Sequence, residues 1–260
     1  MPKAPRLTAK QASLLRADLA QSGWGVESVE ALLGPVAAAA LQRELRAPAL
    51  RVVRRALVAG AGAASTSSDR PSPATGAAST SSAANAPQDG DVAGYKVAVL
   101  TALFMLGEPV GAAALETALP RTGVAGALAI GLVVPMQSAS GEQCYAPAVD
   151  LRPHEARDET GDVRWWIASD LGELATGAPL APDHVLGIGG AGLALAALTP
   201  RRPVAAALAL GCGCGLQTLY LLRHAEYVVA TDISARALAF TALHAALAGV
   251  RVAGAPGART

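Results

Sequence analysis

A chain of 260 residues that is 52% apolar and only 16% charged has enough core-forming side chains for one or two domains, which excludes a wholly disordered protein. Aromatics make up 3%, so the core must come from Ala, Val and Leu, and an aromatic-lined platform for sugars or bases is disfavoured. With 21 Lys and Arg against 20 Asp and Glu the net charge is +1, so no global field draws the chain to nucleic acid or acidic lipid.

Three cysteines, Cys144, Cys212 and Cys214, make no disulfide framework, and the last two are too close in sequence for a structural bridge. This reads as a reducing, cytoplasmic setting. The N-terminus lacks the apolar core of a secretory signal. The uncharged stretch from Val185 to Leu198 is shorter than the ~18 residues of a membrane span and carries several glycines. No membrane association is expected.

In chain order, residues 1–59 read as a helical N-terminal region. Leu14, Leu15 and Leu19, then Val29, Leu32 and Leu33, then Leu41, Leu45 and Leu50 recur at helical spacing, with Gly23, Gly25, Gly34 and Pro35 as punctuation. Residues 60–94 are rich in Ala, Ser, Thr, Gly and Pro, and the run Gly62 to Ser68 recurs as Gly76 to Ser82. That composition predicts a disordered insert.

Residues 95–162 predict helices over Val97 to Leu106, Ala112 to Leu119 and Val124 to Leu132. A hairpin through Val133–Val134, a polar tip from Gln137 to Glu142, and Tyr145 to Val149 follow. Three short helices and a two-stranded wing follow the winged-helix plan. The third helix has no Arg, Asn or Gln to reach base edges, which favours protein packing or substrate presentation over sequence-specific DNA binding. Arg152 to Asp162 reads as a charged loop. Trp165 and Trp166 open the last region, 163–260, and on a strand they would face opposite ways.

Chemistry concentrates between Val204 and Leu247. The pattern is an apolar strand, a turn with Gly211, Gly213 and Gly215, a helix from Leu216, a strand over Tyr227 to Thr231 ending at Asp232, and a second helix. An unbroken apolar run is what a parallel strand buried on both faces requires. Glycines let a backbone turn tightly and approach a ligand, and helix N–H groups then point at it. A carboxylate at the end of the next strand, 21 residues after Gly211, can accept from two vicinal ribose hydroxyls. The pattern predicts a nucleoside pocket. A third dinucleotide-fingerprint glycine would fall at residue 216, which is Leu, so an NAD-dependent oxidoreductase is disfavoured; no P-loop Gly-Lys-Ser/Thr follows either.

The G-x-G-x-G turn followed by a strand ending in Thr-Asp-Ile-Ser resembles the first two motifs of class I S-adenosylmethionine-dependent methyltransferases. With the upstream run Asp183 to Ala191, it resembles actinobacterial relatives of the release-factor glutamine and small-domain methyltransferases. The resemblance implies an α/β fold: a Rossmann-like methyltransferase domain preceded by the helical and winged-helix-like region. It implies S-adenosylmethionine as cofactor, held by Gly211, Cys212, Gly213, Gly215 and Asp232, with Ile233 beside the adenine. The implied reaction is N-methylation of a protein glutamine or a nucleobase, so the implied partner is a protein or nucleic-acid methyl acceptor.

Where that family carries an acidic residue two positions before the first glycine, this chain has Ala209. It also lacks the family's Asn-Pro-Pro-aromatic motif, its single Asn being Asn85, and a loop-like Val250 to Thr260 follows the second helix. The expectation is an incomplete, apparently truncated domain that binds cofactor weakly and is inactive as it stands, since a two-stranded parallel sheet is too small to bury its helices. No catalytic residue is identified, and no metal site is expected because C-x-C inside a glycine turn lacks knuckle spacing. Ser234 reads as a helix N-cap, His224 as a helix-end contact, and Arg201–Arg202 as a solvated pair. The alternative function is a non-catalytic winged-helix interaction or nucleic-acid-binding protein with a vestigial nucleoside-binding fold.

Overall fold

A computed structural model describes residues 3–65, 89–158 and 161–251. Helices α1 (Ala9–Gln21), α2 (Val26–Leu41) and α3 (Arg46–Ser65) make the N-terminal layer. A reciprocal cap opens α1: Gln11 N donates to Thr8 Oγ1 at 3.3 Å while Thr8 N donates to Gln11 Oε1 at 2.8 Å. α2 is kinked at Gly34, whose φ of 69° and ψ of 167° leave the helical region just before Pro35. The predicted insert boundaries shift, because α3 runs through the Ala-rich start of the first repeat to Ser65 and α4 (Asp89–Leu100) begins at Asp89. Alanine is the best helix former, and the Ala-rich run carries the end of α3 onward. The rest of the insert, including the second repeat, lies outside the described residues.

A π-helical turn (Thr101–Met105) continues α4, and α5 (Ala112–Ala118) and α6 (Gly123–Ile130) follow. Strands β1 (Val110–Gly111), β2 (Val133–Gln137) and β3 (Gln143–Pro147) form an antiparallel sheet in the order β1-β3-β2. The second and third predicted helices and the hairpin stand within a few residues of their expected bounds, whereas the first begins at Asp89 rather than Val97.

Asp18, on α1, is buried and went unnoticed in the sequence because one carboxylate in an amphipathic helix looks solvated. Its side chain accepts from Thr122 N at 2.7 Å and Arg121 N at 3.1 Å, holding the N-terminus of α6 against α1. A negative charge there also opposes the positive end of the helix. Asp18→Asn, which turns donors toward donors, is expected to lower stability by about 2 kcal/mol. Thermal melts of the two proteins check this.

The segment expected to be a charged loop is a hairpin instead. β4 (Asp150–Asp158) and β5 (Gly161–Ser169) pair antiparallel in full register. The charges that mimic a loop are neighbours on its surface: Arg157 pairs with Asp162 at 2.6 Å, and Glu155 faces Arg164 across the ladder. Leu151, His154, Val163 and Ile167 turn inward. The hairpin straddles the expected domain boundary at 162/163, so that boundary is not a break in the fold.

After a short helix α7 (Glu173–Thr176), α8 (Gly190–Leu198) leads into β6 (Val204–Leu210), α9 (Leu216–Leu221), β7 (Ala225–Thr231) and α10 (Ala235–Leu247). β6 and β7 are parallel. One core runs through the described residues, from Leu15, Leu19 and Trp24 through Phe104, Leu132 and Ile167 to Phe240 and Leu243. α10 packs on β5 and on α1, which locks the βαβα unit to the N-terminal layer.

No single helix among the described residues is long and apolar enough to cross a membrane. α1 and α2, bent by 47°, pass that test by length and composition only as a pair, and their Leu15, Leu19, Val29 and Leu33 are core residues.

Candidate functional site

The strand, glycine turn, helix, strand and helix fall where the sequence places them. Residues 211–215 turn the chain from β6 into α9, and three backbones of positive φ make the turn: Gly211 at 67°, Gly213 at 54° and Gly215 at 94°. These glycines do two different jobs. A Cβ on Gly211 or Gly213 would meet nothing within 4 Å, so both open onto free space at the end of the sheet. A Cβ on Gly215 would sit 2.8 Å from Thr241 Cα, so this glycine lets α10 pack against the turn.

Asp232 stands at the end of β7 beside that turn. Its Oδ2 accepts from Gly213 N and its Oδ1 from Ser234 N, both at 2.9 Å. An ionised carboxylate offers about four lone-pair positions, so two remain for hydroxyl donors. Cys212 N donates to Thr231 O at 2.9 Å, which fixes the turn to the end of β7. Ser234 caps α10 as expected, accepting from Ala237 N at 3.3 Å. Ile233 is fully exposed beside Asp232, without neighbours to cover it.

Cys212 stands within the turn. Its side chain is buried against α10, with Sγ 3.2 Å from the Thr241 hydroxyl, and only its backbone shapes the turn. Burial pushes the Cys212 and Cys214 thiols up, which disfavours the thiolate form of both. Cys144 lies on β3, in another sheet. Among the described residues no three His, Cys, Asp or Glu side chains converge on a common point.

Sequence reasoning missed the groups that support the turn from behind. The fully buried His244 of α10 sits between β5 and the turn, accepting from Ala168 N at 2.7 Å and donating from Nδ1 to Cys214 O at 2.5 Å. A carbonyl can only accept and an amide N–H can only donate, so the ring is held as the neutral Nδ1–H tautomer. Burial drops its pKa to about 4. Asp170, just past β5, accepts from Val185 N at 2.9 Å and forms an almost fully buried ion pair with Arg236 in the first turn of α10. These two links set the height of α10, and hence of Asp232, against β5.

Two further expectations change. Arg201 is not solvated: it pairs with Asp158 at 3.1 Å and lies over the Tyr220 ring, because β4 and α9 close around it. Asp158 also pairs with Arg223 at 2.8 Å. The apolar run of β6 is covered on one face only. Ala207 and Ala209 share their face with Val228 and Ala230, toward α9 and α10, whereas Leu208, Leu210, Tyr227 and Val229 form an open face. Leu210 is 83% exposed and Tyr227 61%.

No curated protein matches the chain. Residues 21–143 match a domain of unknown function (DUF7059), a span that runs from the end of α1 to the start of β3 and stops short of the glycine turn.

Proposed function

We propose that the chain carries the cofactor-binding half of a class I S-adenosylmethionine-dependent methyltransferase. In this reading residues 204–247 begin a Rossmann-like sheet, and the helices and small sheet of residues 95–147 form a winged-helix-like part that presents the acceptor. The observation that carries it is the 2.9 Å hydrogen bond from Gly213 N to Asp232 Oδ2, which joins the glycine turn and the strand-end acid at the carboxyl ends of two adjacent parallel strands. That is where open α/β sheets bind nucleosides.

Gly211 and Gly213 would admit the cofactor against bare backbone, and the free lone pairs of Asp232 would take the two ribose hydroxyls. The open flank of Ile233 would receive the adenine. The cofactor supplies an activated methyl group; the chain's own contribution is positioning, with the glycine turn and Asp232 fixing the direction from which a protein or nucleobase nitrogen can approach. Ala209 is buried and has no carboxylate, so the cofactor's amino group lacks the partner that the family supplies. Loss of one charge-assisted bond weakens binding about ten- to a hundredfold. The open face of β6 and β7 leaves one side of the site unwalled, which lowers the expected affinity further.

Isothermal titration tests this. S-adenosylmethionine is expected to bind saturably but weakly, with a dissociation constant of about 10 μM or higher. Asp232→Asn, which keeps an oxygen for Gly213 N–H, is expected to weaken it about tenfold. Binding unchanged by that substitution would overturn the site, and submicromolar binding to this chain would overturn the argument from Ala209 and the open face.

A further inference from the structure

A different part of the molecule has the chemistry of a recognition site. The chain holds three tryptophans, and all three line one cavity of about 450 Å³ between the α1–α2 turn and the β4–β5 hairpin. In a protein with 3% aromatics that is a concentration at one seam. The rings are held in place. Trp24 is buried, with Nε1 donating to Thr101 Oγ1 at 3.1 Å, and Trp166 Nε1 donates to Trp24 O at 3.0 Å. Trp165 packs edge-on against Tyr220, with ring centroids 5.0 Å apart. Trp165 and Trp166 are each half-buried.

Two carboxylates meet this wall from separate elements, Glu27 in the first turn of α2 and Glu155 on β4. Glu155 Oε1 accepts from Val26 N at 3.3 Å, and its other oxygen has no hydrogen-bond partner among the described residues. Gly25 makes room for it, since a Cβ there would lie 2.6 Å from Glu155 Oε1. Glu27 has no hydrogen-bond partner among the described residues either. The single cation on the wall, Arg164, faces Glu155 across the ladder without forming an ion pair. Two acids against one base leave the cavity net negative beside the half-buried Trp166, which shares its face of the hairpin with Glu155 and Arg164, and cations are what such a surface attracts. A planar guanidinium suits it best, because it stacks on an aromatic face while donating to a carboxylate.

We propose that this cleft docks an arginine side chain of a basic peptide segment. The site does not depend on the methyltransferase reading, and its failure would leave that reading untouched. The cavity volume is within the range that holds a small-molecule-sized group.

Because every tryptophan lines the cavity, the intrinsic fluorescence of the full chain reports on it directly. N-acetyl-arginine amide is expected to change the emission saturably, with a dissociation constant on the order of 1 mM, while the neutral isostere N-acetyl-citrulline amide is not. Glu155→Gln keeps an acceptor for Val26 N and is expected to weaken the arginine probe about fivefold. Arg164→Gln removes a like charge and is expected to tighten it. Those opposite signs distinguish recognition of a cation from a general loosening of the hairpin, and far-UV circular dichroism verifies that both variants fold. No saturable response, equal response to both probes, or a shift of the same sign in both variants would overturn the proposal.

Discussion

Gly215→Ala is expected to lower the melting temperature by about 10 °C or more, whereas Gly213→Ala, two residues away in the same turn, is expected to leave the protein folded with a much smaller shift. Both residues have positive φ, 94° and 54°, and an L side chain in that region costs about 1–2 kcal/mol at either site. The difference lies in what the new methyl group meets. At 215 it would lie 2.7 Å from Thr241 Oγ1 and 2.8 Å from Thr241 Cα. A side chain can rotate away, but a helix backbone cannot, so α10 must shift, and overpacking of this kind adds about 1–3 kcal/mol or more. Thr241→Ala in the same chain should therefore relieve little of the loss. At 213 the methyl meets open space, so the effect is expected on ligand binding instead. Melting curves for the variants, with S-adenosylmethionine titration of Gly213→Ala, separate the glycine that packs α10 from the one proposed to face a ligand.

The second large effect is a dependence of stability on pH carried by His244. Its pKa lies at about 4 in the folded protein, because the ring is fully buried, a loss of solvation that outweighs the opposing hydrogen bond to Cys214 O. In the unfolded chain it returns to the ordinary value of about 6.5. The unfolded state therefore binds the proton first. The stabilisation is fully present above pH ~6.5 and is lost as pH falls toward the folded value, by about 2 kcal/mol at pH ~5 and about 3 kcal/mol at pH ~4. Urea unfolding of the wild type and of His244→Gln across this range checks it. The substitution should lower stability near neutrality and remove this part of the acid slope, while carboxylate contributions persist in both. Parallel slopes for the two proteins would show that His244 does not titrate on unfolding. Protonation would also release β5 from α10, so the fixed height of Asp232 above the glycine turn should loosen in the same range.

The site was legible in the sequence wherever local backbone chemistry dictates it. Gly211, Gly213 and Gly215 had to be a tight turn, because only glycine accepts three positive φ values so closely spaced. Asp232 had to stand beside that turn, because a β-α-β unit brings the ends of its two strands together. The separate tasks of those glycines were not legible. Gly215 differs from Gly213 only through Thr241, a residue 26 positions further on whose place is set by how α10 lies. Nor was the packing of the Cys212 side chain against Thr241 legible.

Charge misled in the opposite direction. The run from Arg152 to Asp162 looked like a loop because a linear reading cannot show that its acids and bases are cross-strand neighbours. Asp18, Asp170 and His244 looked like ordinary helix or loop residues for a related reason, since their partners lie 103, 66 and 76 positions away.

Composition and local pattern alone determined that this chain folds, where most of its helices and strands lie, and that a bare turn meets an acid. Those properties follow from backbone conformational preference and from apolar periodicity, which act over a few residues. Tertiary structure decided the rest: which glycine packs and which stays open, which histidine is held neutral, which face of β6 is covered, and the gathering of all three tryptophans around one cavity. Such features depend on contacts between distant segments, where burial strengthens every hydrogen bond and charge, and no short stretch of sequence records which segments will meet.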